Sequence, residues 1–587
     1  MQLKSTHTLY LLYLLILLTH FLYYPRWTKG GTEATLAWDV SGYYMYLPAL
    51  FIYGDLKQCS FRDSILQKYR PTPDFQQAFR HEKSGNYVMK YSLGQALQYA
   101  PFFFAAHAWA SLSPKYEADG FSFPYQFMIS VGSLLVAFLG LFFLRKILLV
   151  YFKDGVVSLT LAALVLGTNY LNYTAIDGAM THNGLFAVYA LLIWLSMRFY
   201  SNPSWGKALG VGLLVGLAAL TRPTEILSAI IPLLWGVNVF DRSAVAQHFR
   251  FWKEHVGMLL LAVLMTAITG SLQLFYWKYA TGDWIVYSYQ DQGFSWLHPH
   301  IANGLFSYKS GWLMYSPMML FSLPGFLILW KKDKKLFGVT ALFSALFIYI
   351  AFAWDIWWYG GSLGQRTMVQ AYPVLAFPLA AFLDWAFNGG KLLKYATVLL
   401  FLLFAYVNLW FTHQAHKGGM LKVGQMTRAY YWKTIGRLSK NIEYLKLLDT
   451  NELYEGEARD LHLVYEDTSD TLELGAEKEW SEPVFIPLTG EGDYDWVRAS
   501  ATFQLGPKEW DVWKMTQFIL RFKRAGQVVK ERKIRVQRFM HDGQKKALYL
   551  DVKKPEEPFD GVECLFWNGG SSKKVLIYGL RLQTFKE

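Results

Sequence analysis

Residues 123–144 read FPYQFMISVGSLLVAFLGLFFL, a long run without a charged side chain. An α-helix needs about 20 predominantly apolar residues to cross a bilayer, so this stretch predicts a transmembrane helix. Further apolar stretches of similar character lie at 9–24, 157–174, 183–200, 206–221, 224–240, 256–279, 312–330, 336–353, 367–387 and 395–412. Together they predict a polytopic α-helical membrane protein with about eleven spans.

The composition fits this class and argues against others. Aromatic residues make up 18% of the chain, which suits belts of Trp and Tyr at the two membrane interfaces. A net charge of +13 would suggest nucleic-acid binding in a soluble protein, but here Lys and Arg fall mostly in short loops between apolar runs. With only Cys59 and Cys564, the chain is neither a disulfide scaffold nor a zinc protein of familiar spacing. Whether the two cysteines pair stays open. The sequence offers no metal-binding motif and we expect no cofactor, while metal dependence stays open.

Loop charge predicts the orientation. The stretch 93–111 is ambiguous, because it could cross the membrane or lie along the outer interface. If it lies at the interface, the basic loops face the cytoplasm, as the positive-inside rule requires; these are 145–155, 200–206, 241–255, 331–335 and 388–394. Tyr23-Tyr24-Pro25 is a poor signal-peptide cleavage site. We therefore expect an uncleaved first span, a cytoplasmic N-terminus and an extracytoplasmic C-terminus.

The composition changes near residue 455. Short segments of period-two patterning follow, separated by Gly, Pro and Asp turns, at 461–465, 484–487, 496–504, 517–523, 533–539, 547–552, 562–567 and 575–584. Such spacing predicts a β-sandwich, jelly-roll-like in character. The predicted organisation is a transmembrane domain at 1–412 with a first outer loop at 25–122, a membrane-surface helical linker at 413–454, and an extracytoplasmic β-sandwich at 455–587.

The first outer loop carries a carboxylate beside an aromatic helix. Asp39 precedes Tyr43 and Tyr44, and at this position it could accept a proton from an acceptor hydroxyl. The two tyrosines would then line the substrate groove. Alternatively, Asp39 N-caps a helix that starts near Ser41.

A second outer turn, Ala175 to Asn183, holds Asp177 and His182 at the membrane boundary. Ionisable groups are costly at that depth, so both are candidate catalytic residues. The alternative is that Asp177 or Thr181 caps the next helix, with His182 in its first turn.

Outer-boundary cations form the third group. Arg222 suits a phosphate, because its planar guanidinium makes paired hydrogen bonds, and Glu225 would lie in the adjoining groove. Alternatively, Arg222 and Glu225 form a local pair at i,i+3. Lys90 and Arg366 could complete an anion site, or they could serve as snorkelling anchors.

These motifs resemble membrane glycosyltransferases of the GT-C fold. The nearest families in outline are protein O-mannosyltransferases, the lipid A aminoarabinose transferase and dolichyl-phosphate-mannose-type transferases. The resemblance covers about 1–412 and rests on Asp39, on Lys90 before an interfacial helix, on Met180-Thr181-His182 and on Thr221-Arg222-Pro223-Thr224. It implies a polyprenyl-phosphate-sugar donor, inversion at the anomeric carbon, an acidic residue facing the acceptor and basic residues holding the lipid phosphate.

Two departures leave the subfamily and the sugar open. Val40 follows Asp39 where many relatives have a second acidic residue, and Lys90-Tyr91-Ser92-Leu93 stands where some relatives have Lys-Pro-Pro-Leu. The C-terminal strands resemble a carbohydrate-binding jelly roll at Cys564 to Asn568 and at Tyr578 to Leu580.

The leading expectation is a glycosyltransferase of the bacterial inner membrane. It would take a polyprenyl-phosphate-linked sugar and a glycan, lipid or protein acceptor, with membrane lipids around it and no nucleic acid. A lipid-linked saccharide flippase is the alternative, although transporters often show inverted repeats and charges near the midplane. A membrane-anchored glycan-binding protein is a third reading, which would not need so many spans.

Overall fold

The computed structural model describes residues 4–467, 471–507 and 514–587. The chain divides into two compact units, Met1–Gly424 and Gln425–Glu587. The first unit is helical, and the second is built mainly from β-strands.

The first unit is a bundle of α-helices with one short hairpin. Its helices are α1 (Ser5–Leu18), α2 (Trp38–Tyr44), α3 (Tyr46–Phe51), α4 (Arg62–Tyr69), α5 (Gly94–Leu112), α6 (Phe123–Tyr151), α7 (Asp154–Gly167), α8 (Thr181–Ser201), α9 (Trp205–Thr221), α10 (Ile230–Leu234), α11 (Arg242–Glu254), α12 (Val256–Thr281), α13 (Ile301–Phe306), α14 (Trp312–Tyr315), α15 (Ser322–Lys332), α16 (Lys334–Ala353), α17 (Tyr372–Asn388) and α18 (Lys391–His413). Strands β1 (Ala78–Arg80) and β2 (Tyr87–Met89) pair antiparallel. Two 3₁₀ segments, Pro223–Ala229 and Arg366–Ala371, lead into α10 and α17.

The chain is an integral membrane protein. Within the described residues, seven helices are long and apolar enough to cross a membrane: Ser5–Thr28, Phe123–Tyr151, Thr181–Ser201, Val256–Thr281, Lys334–Ala353, Arg366–Asn388 and Lys391–Gly418. These helices differ in how much of their apolar stretch is buried within the protein. The share is 94% for Arg366–Asn388 and only 6% for Val256–Thr281. The helix that contains α17 is therefore central to the unit, and α12 presents its apolar side chains outward, where lipid would cover them.

Each of the eleven predicted stretches contains helix, but the number of crossings and their orientation stay predictions. The stretch 312–330 is interrupted, because Pro317 opens a 3₁₀ segment between α14 and α15 and proline has no N–H for the helical ladder. Helix α5 contains all of the stretch 93–111 except Leu93, and it packs against α6 and α9. Its other face exposes Phe104 and Leu112, and its position at the interface is likewise still a prediction.

The second unit contains two antiparallel sheets, as the strand pattern predicted. Its elements are α19 (Arg428–Thr434), β3 (Arg459–Glu466), β4 (Leu472–Leu474), β5 (Val484–Pro487), β6 (Trp496–Leu505), β7 (Gln517–Arg524), β8 (Gln527–Arg535), β9 (Lys545–Lys553), β10 (Gly561–Trp567) and β11 (Val575–Lys586). One sheet has the order β5-β10-β7-β8, and the other β3-β11-β6-β9, with β4 also pairing β11. Phe503 of β6 contacts Phe518 and Phe566 of the opposite sheet. The sheets therefore pack face to face, and the predicted sandwich is confirmed.

One strand differs from the sequence prediction. The segment 533–539 is mostly not strand, because β8 ends at Arg535 and a 3₁₀ turn covers Val536–Arg538. The strand begins earlier, after a turn in which Ala525 and Gly526 have positive φ angles. β8 is an edge strand with mostly charged side chains, so its apolar alternation is weak.

The segment before the sheets belongs to the second unit from Gln425 onward. Asp449 follows the 3₁₀ segment Ile442–Leu448 and accepts hydrogen bonds from the guanidinium groups of Arg535 and Arg538. Its side chain is 1% exposed, so these pairs attach residues 442–449 firmly to the sandwich. The surface-linker role predicted for 413–454 stays a prediction. Cys59 and Cys564 are both buried free thiols.

Candidate functional site

A cavity of about 330 Å³ lies in the first unit. It brings together seven residues that the sequence singled out from segments far apart in the chain: Asp39, Tyr43, Lys90, His182, Arg222, Glu225 and Arg366. The loop 287–294 and the segment 354–360 complete its wall. The polar residues of four loops thus line one cavity.

Two of the singled-out residues lie elsewhere. The Asp177 carboxylate is paired with Arg26 and accepts a 3.0 Å hydrogen bond from the Asn172 amide. Burial raises the pKa of Asp177, but the Arg26 and His416 charges and the Asn172 hydrogen bond together outweigh this, so the net pKa lies below the usual aspartate range. Tyr44 is fully buried, and its hydroxyl donates to the Gly120 carbonyl at 2.6 Å. Neither residue lines the cavity, and we assign neither a role in it.

Asp39 is held by two donors. Arg366 Nη2 lies 2.6 Å from Asp39 Oδ2, and the Tyr91 hydroxyl donates to Oδ1 at 2.7 Å. Burial raises the pKa of Asp39, but the Arg366 charge and the Tyr91 hydrogen bond more than offset it and leave the pKa below its usual range. Asp39 is therefore ionised at neutral pH. It is no N-cap, because α2 begins at Trp38 and Ala37 occupies the cap position.

Arg222 and Lys90 have no carboxylate partner among the described residues. The Arg222 guanidinium lies 5.5 Å from the centre of the Tyr359 ring. Lys90 Nζ lies 5.8 Å from the centre of the Tyr91 ring and 6.0 Å from that of Tyr289. No ion pair joins Arg222 to Glu225 within the described part of the chain, so the local-pair alternative is wrong. Cation–π contacts satisfy these charges only partly, and both remain available to an anion.

Close packing of α5 against the end of α9 positions these two cations. A Cβ atom on Gly94 would lie 2.3 Å from the backbone nitrogen of Thr221, the residue before Arg222. Only glycine allows this approach. Lys90 is four residues before Gly94 and Arg222 follows Thr221, so this contact brings the backbone near Lys90 close to the backbone near Arg222.

The cavity is amphipathic. Beside its charged residues lie apolar side chains that include Leu227, Phe294, Phe347, Ile350 and Ile356. Phe347 and Ile350 belong to α16, one of the helices able to cross a membrane. A ligand with an anionic group next to a hydrocarbon part fits such a lining.

A hydrogen-bonded chain continues from the cavity wall into the core. His182 Nδ1 lies 2.9 Å from Gln370 Oε1, Gln370 Nε2 donates to Glu225 Oε1 at 2.6 Å, and the Tyr189 hydroxyl donates to Glu225 Oε2 at 2.6 Å. His182 is in the first turn of α8, which neither Asp177 nor Thr181 caps. Sequence reasoning missed Gln370, although a glutamine inside the apolar run 367–387 is a signal of its own.

In the described part of the chain, no group of three or more His, Cys, Asp or Glu side chains is arranged to hold a metal ion. No family model matches the sequence, and no curated protein matches it. Among solved structures, the chain is similar to the arabinosyltransferase EmbB from Mycobacterium smegmatis, determined by single-particle cryo-EM, with 10% identity over 99% of this chain and 68% of that one and a TM-score of 0.32. A likeness at that level leaves the function to be argued from the residues of the cavity.

Proposed function

We propose that the chain is an inverting membrane glycosyltransferase of the GT-C type that uses a polyprenyl-phosphate-linked sugar. The observation that carries the proposal is the amphipathic cavity, where Lys90 and Arg222 lack carboxylate partners among the described residues while an apolar wall adjoins them. A phosphate needs the cations, and a polyprenyl chain needs the apolar wall. The sugar between phosphate and acceptor would occupy the remaining volume.

Arg222, Lys90 and Arg366 are the groups proposed to bind the donor phosphate. Negative charge grows on the phosphate oxygen as the bond from the anomeric carbon to that oxygen breaks. Cations fixed beside that oxygen stabilise the transition state more than the ground state, because the charge is greatest there. Arg366 has a further property, since its guanidinium is shared with Asp39 until a phosphate competes for it.

Asp39 is the group proposed to act on the acceptor. The acceptor oxygen forms a bond to the anomeric carbon from the face opposite the phosphate, the bond to the phosphate oxygen breaks, and the acceptor proton passes to Asp39 Oδ. The displacement inverts the anomeric centre and releases polyprenyl phosphate. A phosphate that draws Arg366 away would also make Asp39 more basic, because the guanidinium is what lowers its pKa.

The acceptor would be a glycan, lipid or protein on the outer face of a bacterial inner membrane, with the N-terminus in the cytoplasm and the C-terminal unit outside. These assignments rest on the loop charges and the family resemblance. Tyr43, stacked on Tyr91 at 4.4 Å, is proposed to line the groove together with Glu225.

The test uses the purified full chain in phosphatidylglycerol and phosphatidylethanolamine vesicles. They would be loaded with undecaprenyl phosphate that carries one of a panel of radiolabelled hexoses and pentoses, and mixed with an envelope extract as acceptor. The proposal expects release of undecaprenyl phosphate together with label in the extract. Movement of the intact labelled lipid between leaflets without release would instead support a transporter. Absence of binding across the panel would overturn the proposal.

A further inference from the structure

The buried chain Tyr189–Glu225–Gln370–His182 determines what the His182 imidazole can offer the cavity. All four side chains are almost fully buried, with exposed fractions of 0%, 3%, 0% and 1% in that order. The chain crosses between α8, the 3₁₀ segment Pro223–Ala229 and the 3₁₀ segment Arg366–Ala371. Its direction follows from chemistry at each link.

Both Glu225 oxygens accept hydrogen bonds here, Oε2 from the Tyr189 hydroxyl and Oε1 from the Gln370 amide. Gln370 must therefore turn its NH₂ group toward Glu225, and its carbonyl oxygen then faces His182. A carbonyl oxygen is also an acceptor, so His182 Nδ1 carries the hydrogen. In a neutral imidazole the other nitrogen, Nε2, is then an unprotonated acceptor.

Nε2 is free to meet a ligand. His182 lines the cavity, and its imidazole makes no hydrogen bond other than that of Nδ1 among the described residues. The described lining already includes Lys90, Arg222 and Arg366 against Asp39 and Glu225. A protonated imidazole would add to this excess of positive charge, whereas a neutral one does not.

We infer that His182, oriented through Gln370 by Glu225, accepts at Nε2 a hydrogen bond from a hydroxyl of the sugar part of the substrate. An unprotonated nitrogen cannot bind a phosphate oxygen, because both are acceptors, so its partner must be a donor such as a hydroxyl. This inference rests on the proposed function, and the part of the donor that the imidazole would contact is the sugar.

The location supports a sugar rather than a distant acceptor. Arg222 and Glu225 are three residues apart in one turn, so the proposed phosphate ligand and the anchor of the hydrogen-bonded chain move together. A sugar bonded to a phosphate at Arg222 would have its hydroxyls within a few ångströms of this turn. A site that hydrogen-bonds one hydroxyl discriminates strongly against an analogue without it, because the buried acceptor is then left unpaired.

The first test determines the tautomer of the His182 imidazole and does not depend on enzymatic activity. Nitrogen-15 NMR of the full-length protein with labelled histidine would assign the His182 signals as those missing from His182→Asn. The inference expects a neutral ring with hydrogen on Nδ1 and none on Nε2. A ring with hydrogen on Nε2, or an imidazolium at neutral pH, would overturn it while leaving the proposed transferase function standing.

The second test separates sugar from phosphate. Binding of undecaprenyl phosphate with and without a sugar would be compared in wild type, His182→Asn and His182→Gln. Asn retains an N–H donor for Gln370 but lacks the acceptor at Nε2, whereas Gln can place an oxygen near that point. We expect His182→Asn to weaken binding of the sugar-bearing lipid about 2- to 10-fold and to leave binding of the bare lipid unchanged. His182→Gln should recover part of the lost affinity.

Deoxy sugars identify the hydroxyl. One deoxy donor should bind wild type and His182→Asn equally, whereas donors that keep that hydroxyl should distinguish them. His107→Asn is the matched control, because His107 bonds Tyr125 outside the cavity lining and should change none of these values. If His182→Asn weakens binding of the bare lipid and of the sugar-bearing lipid equally, the inference is overturned. Failure of wild type to bind even bare undecaprenyl phosphate would overturn the proposed function itself.

Discussion

Replacement of Arg222 by alanine should weaken phosphate binding strongly and change the free energy of unfolding only a little. The guanidinium makes no ion pair among the described residues, and it lies over the Tyr359 ring. A cation–π contact contributes about 0.5–1 kcal/mol at exposed sites and about 2 when desolvated, so we expect a loss of stability of that order. A hydrogen bond to a charged group contributes about 1.5–3 kcal/mol. Binding of undecaprenyl phosphate should therefore weaken about 10- to 150-fold.

Two comparisons make the result specific. Arg198→Ala is the matched control, because Arg198 also lies over an aromatic ring, Trp194 at 5.9 Å, and does not line the cavity. It should leave lipid binding unchanged. Arg366→Ala should instead destabilise the fold by about 1–3 kcal/mol, because it leaves the partly buried Asp39 without its cation while the Tyr91 hydrogen bond remains. The measurements are lipid affinity and thermal unfolding on the same detergent-purified samples. Wild-type affinity in Arg222→Ala would refute the assignment of this cavity as a phosphate site.

Three further results are expected. Asp39→Asn should lower sugar transfer about 100-fold or more while undecaprenyl phosphate still binds. Because the pKa of Asp39 lies below its usual range in the donor-free protein, the wild-type kcat/KM for the donor, which reports that state, should stay constant from neutral pH down to about 3.9 and fall only below it. An acid limb between about pH 5 and 7 that Asp39→Asn abolishes would contradict this. Gly94→Ala should separate α5 from Thr221 and weaken lipid binding without any change of charge, and normal affinity there would show that Lys90 and Arg222 are positioned otherwise. A reporter fused after Glu587 should be active only outside the cytoplasm, and cytoplasmic activity would reverse the orientation predicted from the loop charges.

The sequence was sufficient for the architecture, because apolar length and strand alternation are local properties. Runs such as 123–144 predict helices from composition alone, and the turn residues between 455 and 587 predict short strands. Prediction failed where the local signal was weak. Strand β8 is charged and lies at a sheet edge, so its alternation did not stand out. The attachment of Asp449 to the sandwich gave no local signal either, because the arginines that bind it follow it by more than 80 positions.

The site was predictable residue by residue but not as a set of pairings. Asp39 was singled out because it lies beside an aromatic helix in the first outer loop, and Arg222 because its guanidinium suits a phosphate. Their surroundings depend on long-range packing, since Arg366 meets Asp39 across 327 positions and Gln370 meets Glu225 across 145. Both partners lie on one 3₁₀ segment, Arg366–Ala371, at the entry to the most buried of the candidate spans. A shift of this segment would release the Asp39 carboxylate and the His182 imidazole together, so the two groups proposed to meet acceptor and sugar are coupled through one turn of backbone.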